Sequence, residues 1–186
     1  MRHATTTLFA LLPIVACAAQ APTATPTSTA AISTPVFDCF HINSAWGFSM
    51  SGRFIDSDGT IYSYQRKAPA WMPHEIVESD SRFLRDEDLQ SKYAGREKVG
   101  NVSAHELELH RASIEAAGKG KLVQAGPTAN DAGSSSCHAY VRDAGKNRYR
   151  DVNLGTDGGI SDMPMRNDST QAQELIAWLK TVGVSK

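Results

Sequence analysis

What the chain lacks narrows the reading before any motif does. Apart from one short run near its start, no apolar stretch approaches the roughly 20 residues that a membrane-spanning helix needs. No transmembrane helix is therefore expected. A basic excess is missing too: 19 Lys and Arg stand against 20 Asp and Glu. Nothing there draws in nucleic acid, and no polybasic patch faces anionic lipid. No internal repeat appears at solenoid periods. The glycine-rich stretch Gly155-Thr156-Asp157-Gly158-Gly159 has neither the dinucleotide fingerprint nor the Walker lysine, and no cofactor is expected. Cysteine is scarce, at three residues.

What is present begins with an address. Residues 1–16 read MRHATTTLFALLPIVA: a short basic start in Arg2 and His3, then an apolar run over residues 8–16 broken only by Pro13. That is the layout of a secretory signal. The run closes on Ile14-Val15-Ala16-Cys17, which resembles the lipobox of bacterial lipoproteins. The resemblance implies diacylglycerol transfer to Cys17, cleavage before it and acylation of the new amino terminus. The protein would then face the periplasm on a membrane of the cell envelope, with the outer membrane favoured. An ordinary signal cleaved after Ala19, with Cys17 discarded, is the competing reading. From Cys17 to residue 35 the chain is rich in Ala, Thr, Pro and Ser and carries no charge. Such a segment buries too little to offset its ordering entropy and reads as a tether. Residues 36–186 are expected to form one domain of ordinary size.

Two cysteines remain in that domain, Cys39 and Cys137. An even pair in an oxidising compartment is expected to be a disulfide. The alternative is a catalytic thiol beside His41 or His138.

Residues 36–42, VFDCFHI, alternate as a strand. In GRFIDSDGTIYSYQ, residues 52–65, Asp58-Gly59 lies between β-branched and aromatic runs, a hairpin signal. A short helix is expected over residues 86–94. A longer one is expected over 101–118, opened by a Ser103/Glu106 capping box and stapled by Val102 and Leu107. Strands are expected at 137–141 and 148–154. A closing helix is expected over about 170–181, capped by Thr170 with Gln173 and buried along Ala172, Leu175, Ile176 and Leu179. This order lacks β-α alternation. It predicts an α+β fold: an antiparallel or mixed sheet with a β-hairpin, helices packed on one face and one disulfide.

GFSMSGRFIDSDGTIYSY, NDAGSSSCHAYV and RNDSTQAQELIAWL together resemble uncharacterised lipid-anchored envelope proteins, with a W-G, an ID-x-D-G hairpin, a late D-A-G and a terminal W-L helix. The resemblance implies a shared fold and no particular activity.

The candidate chemistry is thin. Counted from Asp56, an EF-hand would need oxygen ligands where Thr60 and Lys67 stand, so Asp56-Ser57-Asp58-Gly59 reads as a turn. His105 and His110 are five apart and diverge by about 140° around a helix, so a shared metal is not expected. Ser134, Ser135 and Ser136 sit near Asp131 and His138 without a nucleophile elbow, and read as a loop delivering Cys137. The aromatics Trp46, Phe48, Tyr62, Tyr64 and Trp71 form the candidate binding surface. The leading expectation is a non-enzymatic, lipid-anchored module that binds an envelope protein or cell-wall partner, as inhibitor or immunity proteins do. The alternative is a small periplasmic hydrolase using His41, His74 or His138 with a nearby carboxylate. A polar cleft holding a shifted His or Asp favours the hydrolase, and a convex aromatic patch favours binding.

Overall fold

The chain divides into two units, Met1–Ala30 and Ala31–Lys186. A computed structural model describes residues 34–43, 47–68, 83–126, 133–143, 145–158 and 164–185, all in the second unit. The signal, Cys17, nearly all of the tether, Trp46, Trp71, His74 and Asp131 lie outside the described residues.

Among the described residues, nine strands make one sheet. They are β1 (Pro35–Asn43), β2 (Ser49–Asp56), β3 (Thr60–Lys67), β4 (Phe83–Arg85), β5 (Glu97–Asn101), β6 (Leu122–Gln124), β7 (Ser134–Asp143), β8 (Arg148–Gly158) and β9 (Met165–Asn167). The order is β5-β3-β2-β1-β7-β8-β9-β6, with β4 against β8. Every pairing is antiparallel, so the sheet is antiparallel and not mixed. The helices are α1 (Asp86–Lys92), α2 (Ala104–Arg111), α3 (Ile114–Ala117) and α4 (Thr170–Thr181). None is long and apolar enough to cross a membrane.

Strand alternation sends successive side chains to opposite faces, and both faces are covered. On one, Phe37, Ile55, Ile61, Ala139, Val152 and Leu154 pack with Leu107, Ile114 and Ala117 of α2 and α3 and with Ala172, Leu175 and Leu179 of α4. That is the expected helix layer. On the other, Phe54, Tyr64, Tyr140 and Tyr149 pack with Leu89 of α1 and with Tyr93, which caps it. The short α1 is an addition on this second face. Val36 joins the helix-side core because the β1–β2 register shifts between Pro35 and Phe37.

The β2–β3 hairpin closes as its sequence requires. Gly59 has φ +87, where a side chain is strained, and its N–H donates to the Asp56 carbonyl at 3.1 Å. The Asp56 carboxylate accepts from the N–H groups of Asp58 and Thr60 at 3.2 and 3.0 Å, and Asp58 accepts from Thr60 at 2.7 Å. These are the local bonds of an Asx turn. Gly59 also accepts from the Val102 N–H at 2.9 Å, which fastens the hairpin tip to the start of α2.

Cys39 and Cys137 are bonded, and they are register partners on β1 and β7. The disulfide therefore staples two central strands across a sequence separation of 98.

Three local expectations are corrected. The helix expected over 101–118 is two, because the Ser113 N–H bonds to His110, three residues back, and tightens the turn between them. Ser103 caps α2 by accepting from the Glu106 N–H at 3.2 Å, but the Glu106 carboxylate does not return to the cap. It accepts from Trp178 Nε1 of α4 at 2.7 Å. The cap of α4 is Ser169, accepting from Ala172 N–H at 3.1 Å, and not Thr170.

Candidate functional site

The helix-side face of the sheet changes character along the strands. Ile61, Ile55, Phe37, Ala139 and Val152 stand side by side across β3, β2, β1, β7 and β8, all buried. The next row on that face is Ser63, Arg53, Cys39, Cys137 and Gly155. The row after it is Gln65, Ser51, His41, Ser135 and Asp157. These two rows are mostly small or polar. They floor an open groove of about 1110 Å³, walled by Ile176 and Lys180 of α4, by Gly183–Ser185 after it, by Ala125 and Gly126, and by Pro164–Arg166.

Small floor residues make the groove concave, and its polar groups are partly pre-set. His41 Nδ1 lies 3.0 Å from Ser135 Oγ. The Arg53 guanidinium donates to the Gly183 carbonyl and closes the end of α4. Among the described residues, three fixed cations, Arg53, Arg166 and Lys180, line the groove against one anion, Asp157. The shifted His and Asp of the described residues lie elsewhere. His110 on α2 is pushed down by burial against Trp178, whose ring it stacks on at 4.0 Å, with Glu106 and Glu174 opposing. At the hairpin tip, Asp58 is drawn down to about 2, chiefly by its hydrogen bond with Asp56 and then by Thr60.

Of the aromatic set, the described members Phe48, Tyr62 and Tyr64 do not form an exposed patch. Tyr64 is 4% exposed and belongs to the second core. This corrects the expectation that it faces a partner. Its hydroxyl crosses β2 to reach β1, and it crosses over Gly52, where an added Cβ would sit 2.8 Å from that hydroxyl. Phe48 and Tyr62 are half-buried against the same core, with Tyr62 stacked on Phe54 at 5.1 Å.

The destination of Tyr64 is Asp38, a fully buried carboxylate on β1. It accepts from Tyr64 at 3.0 Å, Tyr93 at 2.9 Å and Tyr140 at 3.5 Å, and pairs with Lys92 Nζ at 2.6 Å. Burial first, and the charge of Asp38 second, push all three tyrosine hydroxyls well above their ordinary range. Lys92 Nζ also sits 4.0 Å from the centre of the Phe40 ring. A buried ion pair so fully hydrogen-bonded is a structural keystone.

Beside it, His138 lies between Ser136 and Asp151 at hydrogen-bond distance from each. The sequence alone offers His138 with an unnamed carboxylate and reads Ser136 as loop. Ser136 is in fact in β7. Also unforeseen were Arg53, Arg166 and Lys180 in the groove. The one available signal was that residues two apart on a strand share a face, which groups Cys39 with His41 and Ser136 with His138. Among the described residues no cluster of His, Cys, Asp and Glu is arranged to hold a metal ion. No family model, curated protein or solved structure matches the chain.

Proposed function

We propose that the chain is a lipid-anchored protein of a bacterial cell envelope that binds an extended, carboxylate-bearing partner in the groove, as an inhibitor- or immunity-type module does. The observation that carries this reading is the groove itself: a concave, hydroxyl-rich floor with, among the described residues, three fixed cations against one anion. Complementary charge steers encounter and sets register for a partner of opposite sign. An acidic segment of an envelope protein and an acidic wall polymer present the same carboxylates. The anchor supports the reading by placing such a groove among those partners, and it rests on the Ile14-Val15-Ala16-Cys17 lipobox.

The test is capture by the immobilised full-length protein, with envelope extract and purified wall polymer in separate arms. Arg166→Glu with Lys180→Glu is expected to abolish whichever capture the wild type shows, and salt at about 0.5 M is expected to weaken it. Equal capture by wild type and the double variant would refute the groove as the binding surface. For the anchor, Cys17→Ser is expected to leave an uncleaved precursor or a soluble protein. A wild-type protein that fractionates as soluble and begins after residue 17 would refute lipidation.

A further inference from the structure

On the sheet face opposite Ser135 and Cys137, β7 and β8 bring three side chains into line, and Ser136 itself also borders the groove. Ser136 and His138 share that face because they are two apart on β7. Asp151 arrives from β8, in register with Tyr140. His138 Nε2 lies 2.6 Å from Ser136 Oγ, and His138 Nδ1 lies 2.7 Å from Asp151 Oδ1. The imidazole plane is held by Phe40, stacked at 5.3 Å between ring centres and 17° between planes.

With Nδ1–H donated to Asp151, the Nε2 lone pair faces the Ser136 hydroxyl. That is the connectivity of a hydroxyl nucleophile, its general base and the carboxylate that orients the base. The competing acceptors for the Ser136 proton, Thr156 Oγ1 at 3.0 Å and the Gly155 carbonyl at 3.3 Å, are farther. A second observation points to a ligand. Asn153 is the register partner of His138. Its Nδ2 makes only a long 3.4 Å contact to Thr156 Oγ1, which is itself 3.0 Å from Ser136 Oγ. Its Oδ1 is buried without a partner. The Nδ2 donor, only weakly engaged at 3.4 Å, lies one hydroxyl away from Ser136 and can serve oxygen charge that develops only during reaction.

We propose that Ser136 is the nucleophile of an acyl transfer from a small ester to water. Ser136 Oγ forms a bond to the ester carbonyl carbon while its proton passes to His138 Nε2. Asp151 stabilises the imidazolium, and Asn153 Nδ2 donates to the carbonyl oxygen as it becomes anionic. The C–O bond to the alcohol then breaks, and the alcohol leaves with the proton from Nε2. Water attacks the acyl-serine, gives a proton to Nε2 and releases the acid, and that proton returns to Ser136. The sum is ester plus water giving acid plus alcohol. Ser136 is 8% exposed, and the side chains of His138 and Asp151 are 14% and 19% exposed. With so little of the three side chains exposed, the proposal is confined to small acyl groups such as acetyl.

The full-length protein is treated with a small fluorophosphonate and mapped by mass spectrometry, and p-nitrophenyl acetate hydrolysis is followed in parallel. The label is expected on Ser136. Ser136→Ala is expected to lower kcat/KM by about 100-fold or more, and Asp151→Asn by at least about 10-fold. Labelling of the wild type needs no variant, so it decides the matter even if Ser136→Ala fails to fold. Folded wild type that takes no label, takes it on another residue, or hydrolyses no faster than Ser136→Ala overturns the proposal.

Discussion

Replacing Lys92 by Met removes one charge from the buried cluster while keeping most of the stem. Its Nζ is 2.6 Å from Asp38 Oδ2, and the two side chains are 12% and 0% exposed. Breaking a buried pair by deleting one member costs about 3–5 kcal/mol, because the other charge is left uncompensated. Two features of the structure adjust that figure in opposite directions. The tyrosine hydroxyls at 2.9–3.5 Å continue to donate to Asp38, which lowers the cost. The contact of Nζ with the Phe40 ring is also lost, which adds roughly 0.5–2 kcal/mol. The net expectation is about 3 kcal/mol. Asp38→Asn is expected to cost about 2 kcal/mol, because Lys92 near the surface recovers some hydration. The double variant is then expected to cost well under the sum, with a coupling of at least about 1.5 kcal/mol. Urea unfolding followed by tryptophan fluorescence measures all three, with an unchanged slope confirming that the denatured state is the same. A Lys92→Met cost below about 1 kcal/mol, or single costs that add within about 0.5 kcal/mol, would refute the keystone role.

Gly59→Ala combines an unfavourable φ with a Cβ placed 2.6 Å from the Val102 carbonyl oxygen. It is expected to destabilise the domain by more than about 2 kcal/mol in the same assay, and a change under about 0.5 kcal/mol would count against the hairpin tip as a packed junction. Tyr64, Tyr93 and Tyr140 are raised by burial first and by Asp38 next. The folded state therefore holds their protons after the unfolded chain has released them. Their contribution is full below about pH 10 and is lost as pH rises toward the folded values, at roughly 4 kcal/mol per pH unit for three groups. Unfolding midpoints between about pH 9 and 12 check this, and a flat profile above pH 10 would contradict it. Cys39→Ala with Cys137→Ala opens a loop of separation 98. It is expected to cost about 4–5 kcal/mol on the chain-entropy model, and loss of less than about 1 kcal/mol would show that the staple hardly constrains the unfolded chain.

Legibility in the sequence followed range. The hairpin was readable because Asp56, Asp58, Gly59 and Thr60 satisfy one another within five residues. The disulfide was readable by counting, once Cys17 was assigned elsewhere. The ends of α2 and α4 were readable only in part, because a neighbouring helix claims Glu106 through Trp178. The polar sites were not readable. Asp38 sits in the alternation of Val36, Phe40 and Ile42, and a charge in an apolar row was a signal. Its partners, however, lie 26, 55 and 102 residues away and meet only through register. Asp151 comes within reach of His138 through a β7–β8 pairing whose register shifts between Cys137 and His138, and no spacing rule anticipates a bulge. The groove depends on where α4 and residues 164–166 are laid over the sheet, which is tertiary information throughout.

The staple between β1 and β7 also sets a mechanical limit. Tension arriving along the chain from its N-terminal side enters at Pro35, on a strand flanked on both sides, and not at a free edge. It can draw out only the stretch ahead of Cys39 before the covalent bond carries the load into β7. From there the force must shear a strand registered with β8 along its whole length. A domain loaded from its N-terminal side therefore resists unravelling, and reducing solvent removes that resistance without altering a residue.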